Sequence, residues 1–146
     1  MTTIYHIKEE LDVHFKRIDA ILPELKSYLP LDNDGFEDTE TVKTIDSFIF
    51  RFGKIQDKMG EKLFPAILRE LEEYSNSMAL IDVLNKLEKL ELLDSSDDWV
   101  DYRKLRNSLT HDYPNDTDDI ISAINLSITV YENMKEIYHK MLKRVE

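Results

Sequence analysis

"TVKTIDSFIFRFGKIQDKMGEKLFPAILRELEEY", residues 41–74, decides the fold. Val42, Ile45, Phe48, Ile49, Phe52, Ile55 and Met59 recur at steps of three and four, the spacing that gathers side chains on one face of an α-helix. Leu63, Phe64, Ile67, Leu68 and Leu71 carry the same stripe onward. Gly60 and Pro65 fall inside it, so a kink is expected there. The helix is expected to begin near Glu40 or Thr41, with Thr39 or Thr41 as its N-cap. Gln56 and Asp57 sit on it beside Lys54 and Lys58, either exposed or turned towards a partner or a cleft.

Upstream, Ile4, Ile7, Leu11, Phe15, Ile18 and Leu22 form a second helical stripe, predicting a helix from about Ile4 to Leu29. Pro23 is expected to kink it or to split off its last turn. Residues 30–41, "PLDNDGFEDTET", read as a loop by composition. Asp32, Asn33, Asp34 and Gly35 resemble part of a calcium loop, but the full ligand spacing is missing and a plain acidic turn is the simpler reading. Downstream, "SNSMALIDVLNKLEKLELL" predicts a shorter helix. "DSSDDW" reads as a turn in which Ser95 or Ser96 caps the next helix. That helix should turn Trp99, Val100, Leu105 and Leu109 inward. A long last helix is expected from about Asp116 to Arg144, with Ile120, Ile121, Ile124, Ile128, Tyr131, Met134, Ile137, Tyr138, Met141 and Leu142 as its stripe. Acids open it and Lys140, Lys143 and Arg144 close it, as the helix dipole favours. No alternating pattern competes, so the expected fold is all-α: an up-and-down bundle of four to five helices in one domain, residues 1–146.

Composition narrows the function. The chain has 146 residues, no cysteine and a net charge of −11. Disulfides and thiolate metal sites are therefore excluded, and a reducing cytoplasm fits. The N-terminal residues carry charges where a signal peptide needs an apolar run, and no apolar run is long enough to span a bilayer. Net acidity opposes unspecific binding to phosphate backbones, yet leaves room for a local basic site. Residues 100–113 hold Arg103, Lys104 and Arg106 against Asp101 and Asp112, a net +1. His6 and His14 lie two helical turns apart, too far to share a metal from one helix. With His139, they read as partly exposed helix histidines.

"RNSLTHDYP", residues 106–114, closes the basic segment. Arg106 and His111 are about 500° apart along an ideal helix, so their side chains diverge by about 140° if the helix runs straight through both. Pro114 disfavours helical angles at Tyr113, so the helix is expected to end near His111 or Asp112, where the imidazole can turn back. A helix C-terminus and Asp112 both favour a protonated imidazole. Two readings follow from the residues alone. One is a C-terminal cap histidine with a surface arginine. The other is a pair suited to phosphodiester chemistry, in which histidine moves a proton and arginine steadies charge developing on phosphate.

"R-N-S-L-T-H-D-Y" resembles the R-x4-H-x-Y signature of the HEPN superfamily, in particular the HepT-type toxins of two-gene toxin–antitoxin modules. Asn107 directly after the arginine belongs to the match, as does the position of the motif near the end of one helix and before a long final one. Residues 50–65 also resemble small HEPN-like proteins, without a role attached. The resemblance implies a metal-independent ribonuclease without a cofactor, acting as a homodimer whose two motif copies meet in one cleft. It implies Arg106 and His111 as the catalytic pair and Asn107 as their support. Tyr113 would be the acceptor on which a cognate minimal nucleotidyltransferase antitoxin places AMP, blocking RNA by charge and bulk. It also leaves open a non-catalytic subunit that binds a nucleotide or substrate beside such a nucleotidyltransferase.

Overall fold

A computed structural model of the chain describes residues 2–110 and 117–146. Six helical stretches occupy the described residues, among which there is no strand. They are α1 (Thr2–Ser27), the single-turn α2 (Asn33–Glu37), a long rod, α5 (Leu80–Lys89), α6 (Ser96–Thr110) and α7 (Thr117–Val145). The rod consists of α3 (Thr39–Lys58), a wide π-turn (Met59–Leu63) and α4 (Phe64–Glu70). The all-α class expected from the stripes is what the backbone adopts. Among the described residues, no helix is long and apolar enough to cross a membrane.

The stripes become one core. Ile4, Ile7, Leu11, Phe15 and Ile18 of α1 are buried, while Leu22 is half-buried and Leu25 takes the inward position instead. Helix α1 passes through Pro23 without splitting. Pro23 is exposed and so is Asp19, whose carbonyl loses its partner, so solvent can satisfy that acceptor. Two tyrosines of α7 clasp α1: the Tyr131 hydroxyl donates to Asp19 Oδ1 at 2.8 Å and the Tyr138 hydroxyl to Asp12 Oδ1 at 2.6 Å. The Phe15 ring stacks on Tyr138 with centroids 4.8 Å apart. Burial first, and the neighbouring carboxylate second, push both phenols well above their ordinary range, so they act as donors throughout.

Two local expectations are corrected and a third takes a specific form. Residues 30–41 are not wholly loop, since α2 forms there with Asp32 accepting from the Gly35 amide at 2.7 Å. Neither Thr39 nor Thr41 caps α3. Asp38 does, accepting from the Thr41 amide at 3.0 Å and the Thr41 hydroxyl at 2.8 Å. These bonds hold the Asp38 carboxyl below its usual range, and a carboxylate acceptor suits a helix N-terminus better than a threonine does. Asp32 and Asp38 thus serve as helix caps. Finally, the disturbance expected from Gly60 and Pro65 takes the form of the π-turn, in which the Phe64 amide reaches Met59 O. Pro65 has no amide to return and its ring crowds the preceding turn, so one wider turn absorbs the misfit.

Two glycines set how closely α6 approaches the rod. A Cβ on Gly53 would lie 3.3 Å from Arg106 Nε, and one on Gly60 would lie 3.5 Å from Trp99 Nε1. Gly53 and Gly60 are seven residues apart, as are Trp99 and Arg106. Two antiparallel helices therefore match two large side chains to two bare backbone positions, one pair every two turns. Between them the Gln56 amide donates to the Tyr102 carbonyl at 2.9 Å. Gln56 is buried, so it is neither an exposed residue nor one facing a partner.

Candidate functional site

Arg106 sits one turn before the end of α6, and this packing determines where its guanidinium goes. The side chain lies back across Gly53 on α3, and Nη2 donates to Asp57 Oδ2 at 2.7 Å. Nε is buried and has no hydrogen-bond partner among the described residues. The Arg106 side chain keeps 28% of its exposure and Asp57 keeps 44%. Arg106 is thus not the loose surface arginine of the simpler reading. One edge is fixed by a charge-assisted bond, its stem is packed on bare backbone, and the remainder stays in reach of solvent.

His111 and Tyr113 lie outside the described residues. Asn107 is exposed, and its carbonyl accepts from the Thr110 hydroxyl at 3.2 Å. The fold therefore brings Arg106 together with Asp57 and Gly53, two residues far away in sequence that the spacing of the motif alone does not indicate.

From Arg106 one face of α3 leads to an exposed aromatic ring flanked by cations. Phe50, Gly53, Lys54 and Asp57 share one face by their three-, four- and seven-residue spacings. Phe50 is 58% exposed. Lys54 Nζ lies 5.4 Å from its ring centroid and the Arg51 guanidinium carbon 5.9 Å. On the α1 side, Arg51 Nη1 lies 3.2 Å from His14 Nδ1. Because a guanidinium can only donate, Nδ1 accepts and this imidazole is neutral. Burial first, then the positive field of Arg51, Lys58 and Lys54, lowers the His14 pKa. His14 is consequently half-buried structure in a cationic neighbourhood, whereas His6 and His139 are exposed as expected.

Elsewhere, a cavity of about 250 Å³ opens between α6, α7 and the turn before α6. Asp94, Asp98 and Glu136 line it against one cation, Lys140, and this net negative lining does not favour a phosphate. Among the described residues no group of three or more His, Asp or Glu side chains is placed to hold a metal ion. Comparison with protein-family models, with curated proteins and with solved structures finds no match to this chain.

Proposed function

We propose that the chain is a metal-independent RNA endonuclease of the HEPN type, acting as a homodimer, and the toxin of a pair whose antitoxin is a minimal nucleotidyltransferase. The observation that supports this most is the anchoring of Arg106. A guanidinium held by Asp57 and Gly53 at the solvent edge of α6 is preorganised, so little reorganisation is needed when charge develops on a phosphate. In the proposed step His111 takes the proton of an RNA 2′-hydroxyl and that oxygen attacks the adjacent phosphorus. The bond to the 5′-oxygen breaks, and the leaving oxygen receives a proton. Arg106 carries the extra negative charge of the five-coordinate phosphorus, and Asn107 supports the pair. The products are a 2′,3′-cyclic phosphate and a 5′-hydroxyl. The protein incubated with RNA in EDTA is expected to produce those ends. A chelator-sensitive reaction, or linear 3′-phosphates from the outset, would contradict the mechanism.

A second reading, a nucleotide-binding subunit of a nucleotidyltransferase, gains from the same contact, because Asp57 already offsets part of the Arg106 charge. Saturable nucleotide binding without any cleavage in the same assay selects it. For regulation, Tyr113 is the proposed AMP acceptor. With ATP and the partner nucleotidyltransferase, the parent should gain the mass of one AMP per chain and Tyr113→Phe should gain none. Full labelling of that variant would remove Tyr113 from the role.

A further inference from the structure

We infer that the ridge of α3 carrying Phe50, Arg51 and Lys54 is a platform for a single-stranded nucleic acid, laid beside Arg106 so that a strand stacked there passes the guanidinium. The inference rests on the ribonuclease reading for its substrate and deepens it from RNA in general to unpaired strands. Three observations support it. Phe50 breaks the apolar stripe of α3: its neighbours Phe48 and Phe52 are fully buried, while its own ring is more than half exposed. An aromatic face in water flanked by two cations is the combination that binds a base by stacking and its phosphates by charge. Arg51 and Lys54 also have no carboxylate partner among the described residues, unlike Lys58, which pairs with Glu10, and Arg106, which pairs with Asp57. In a chain at net −11 these two cations flank an exposed ring, with Asp46 one turn before it and Asp57, already bonded to Arg106, two turns after it on the same face. Lastly, Phe50 and Asp57 lie about 20° apart around α3 and about 10 Å apart along it. Arg106, bonded to Asp57, is therefore two turns along the same face.

A second copy of the chain is the competing occupant. A two-fold contact that ran the two ridges parallel would set Lys54 against its own counterpart, which is unfavourable, whereas an antiparallel one would set Lys54 opposite Asp46, an outcome that sedimentation reads. A polyanion meets the same cations with the opposite sign.

The test is fluorescence anisotropy of the full chain with a short fluorescein-labelled oligodeoxyadenylate. This probe lacks the 2′-hydroxyl and so reports binding apart from cleavage. Phe50→Ala is expected to weaken binding about 10-fold or more, and Phe50→Tyr to stay within about 2-fold of the parent. Lys54→Gln should reduce the slope of log affinity against log salt by about 0.7. The same sequence presented as a duplex should bind more weakly. Unchanged affinity in Phe50→Ala overturns the platform, and so does sedimentation of that variant as a monomer where the parent is a dimer, which would make the ridge a subunit contact. If the probe depends on Phe50 but RNA is never cut, the platform stands and the nuclease reading falls. If RNA is cut and Phe50→Ala changes neither affinity nor KM, the platform falls alone.

Discussion

Arg106→Ala is expected to slow RNA cleavage by about 10²- to 10³-fold while the protein stays folded. The two halves of that expectation have different physical origins. The rate depends on a donor aimed at charge that exists only in the transition state, so its loss raises the barrier without a compensating fall in the ground state. Stability depends on the Arg106–Asp57 pair, which is partly exposed on both sides. Such a pair contributes at most about 1 kcal/mol, and its loss also removes a buried Nε that has no partner among the described residues. Arg106→Lys should fall between alanine and the parent, since it keeps the charge but loses the planar fork that lets one edge hold Asp57 while another faces substrate. His111→Ala, which removes the proposed base, should cost about 10²- to 10⁴-fold. Initial rates on labelled RNA, with circular dichroism as the control for folding, decide the matter. If both alanine variants cut at the parental rate, the catalytic assignment is wrong.

What the sequence conveyed, and what it withheld, follows from the range of each interaction. The buried positions of α1, α3 and α7 were legible because helical period is a local property and the stripes are long. The single turn of α2 was not, since five residues with one large apolar side chain, Phe36, carry no period and its start rests on one Asp32 cap. Gly60 was visible as a disturbance, but its use as a seat for Trp99 was hidden, because the two are brought together only by folding. The site shows the same division. Arg106 could be singled out from eight contiguous residues. Asp57, which holds it, lies 49 positions away. Phe50 did leave a signal, since it is an aromatic residue set off the apolar face of its helix and placed beside Arg51 and Lys54.

Trp99→Ala should be the most destabilising substitution near the site, costing about 3–5 kcal/mol and lowering Tm by on the order of 10 °C. The indole is 1% exposed and fills the contact between α6 and the rod, with its ring centroid 4.6 Å from that of Phe64. Removing it leaves a void that Gly60 cannot fill. Trp99→Phe separates packing from polarity. Buried Nε1 has no hydrogen-bond partner among the described residues, and an unsatisfied buried donor costs about 1–3 kcal/mol. Replacing indole by phenyl forfeits some contact area but relieves that donor, so the two effects nearly offset and Trp99→Phe should lie within about 1.5 kcal/mol of the parent. Chemical denaturation of the three proteins reads both values; a phenylalanine variant as unstable as the alanine one would mean that Nε1 is bonded after all. The consequence reaches the site, because Trp99 and Arg106 occupy the same face of α6 and seat on the same rod. Loosening the first contact tilts the helix that presents the second. Trp99→Ala, assayed well below its melting temperature, should therefore lose cleavage through kcat, as Arg106→Ala does, while Trp99→Phe keeps it.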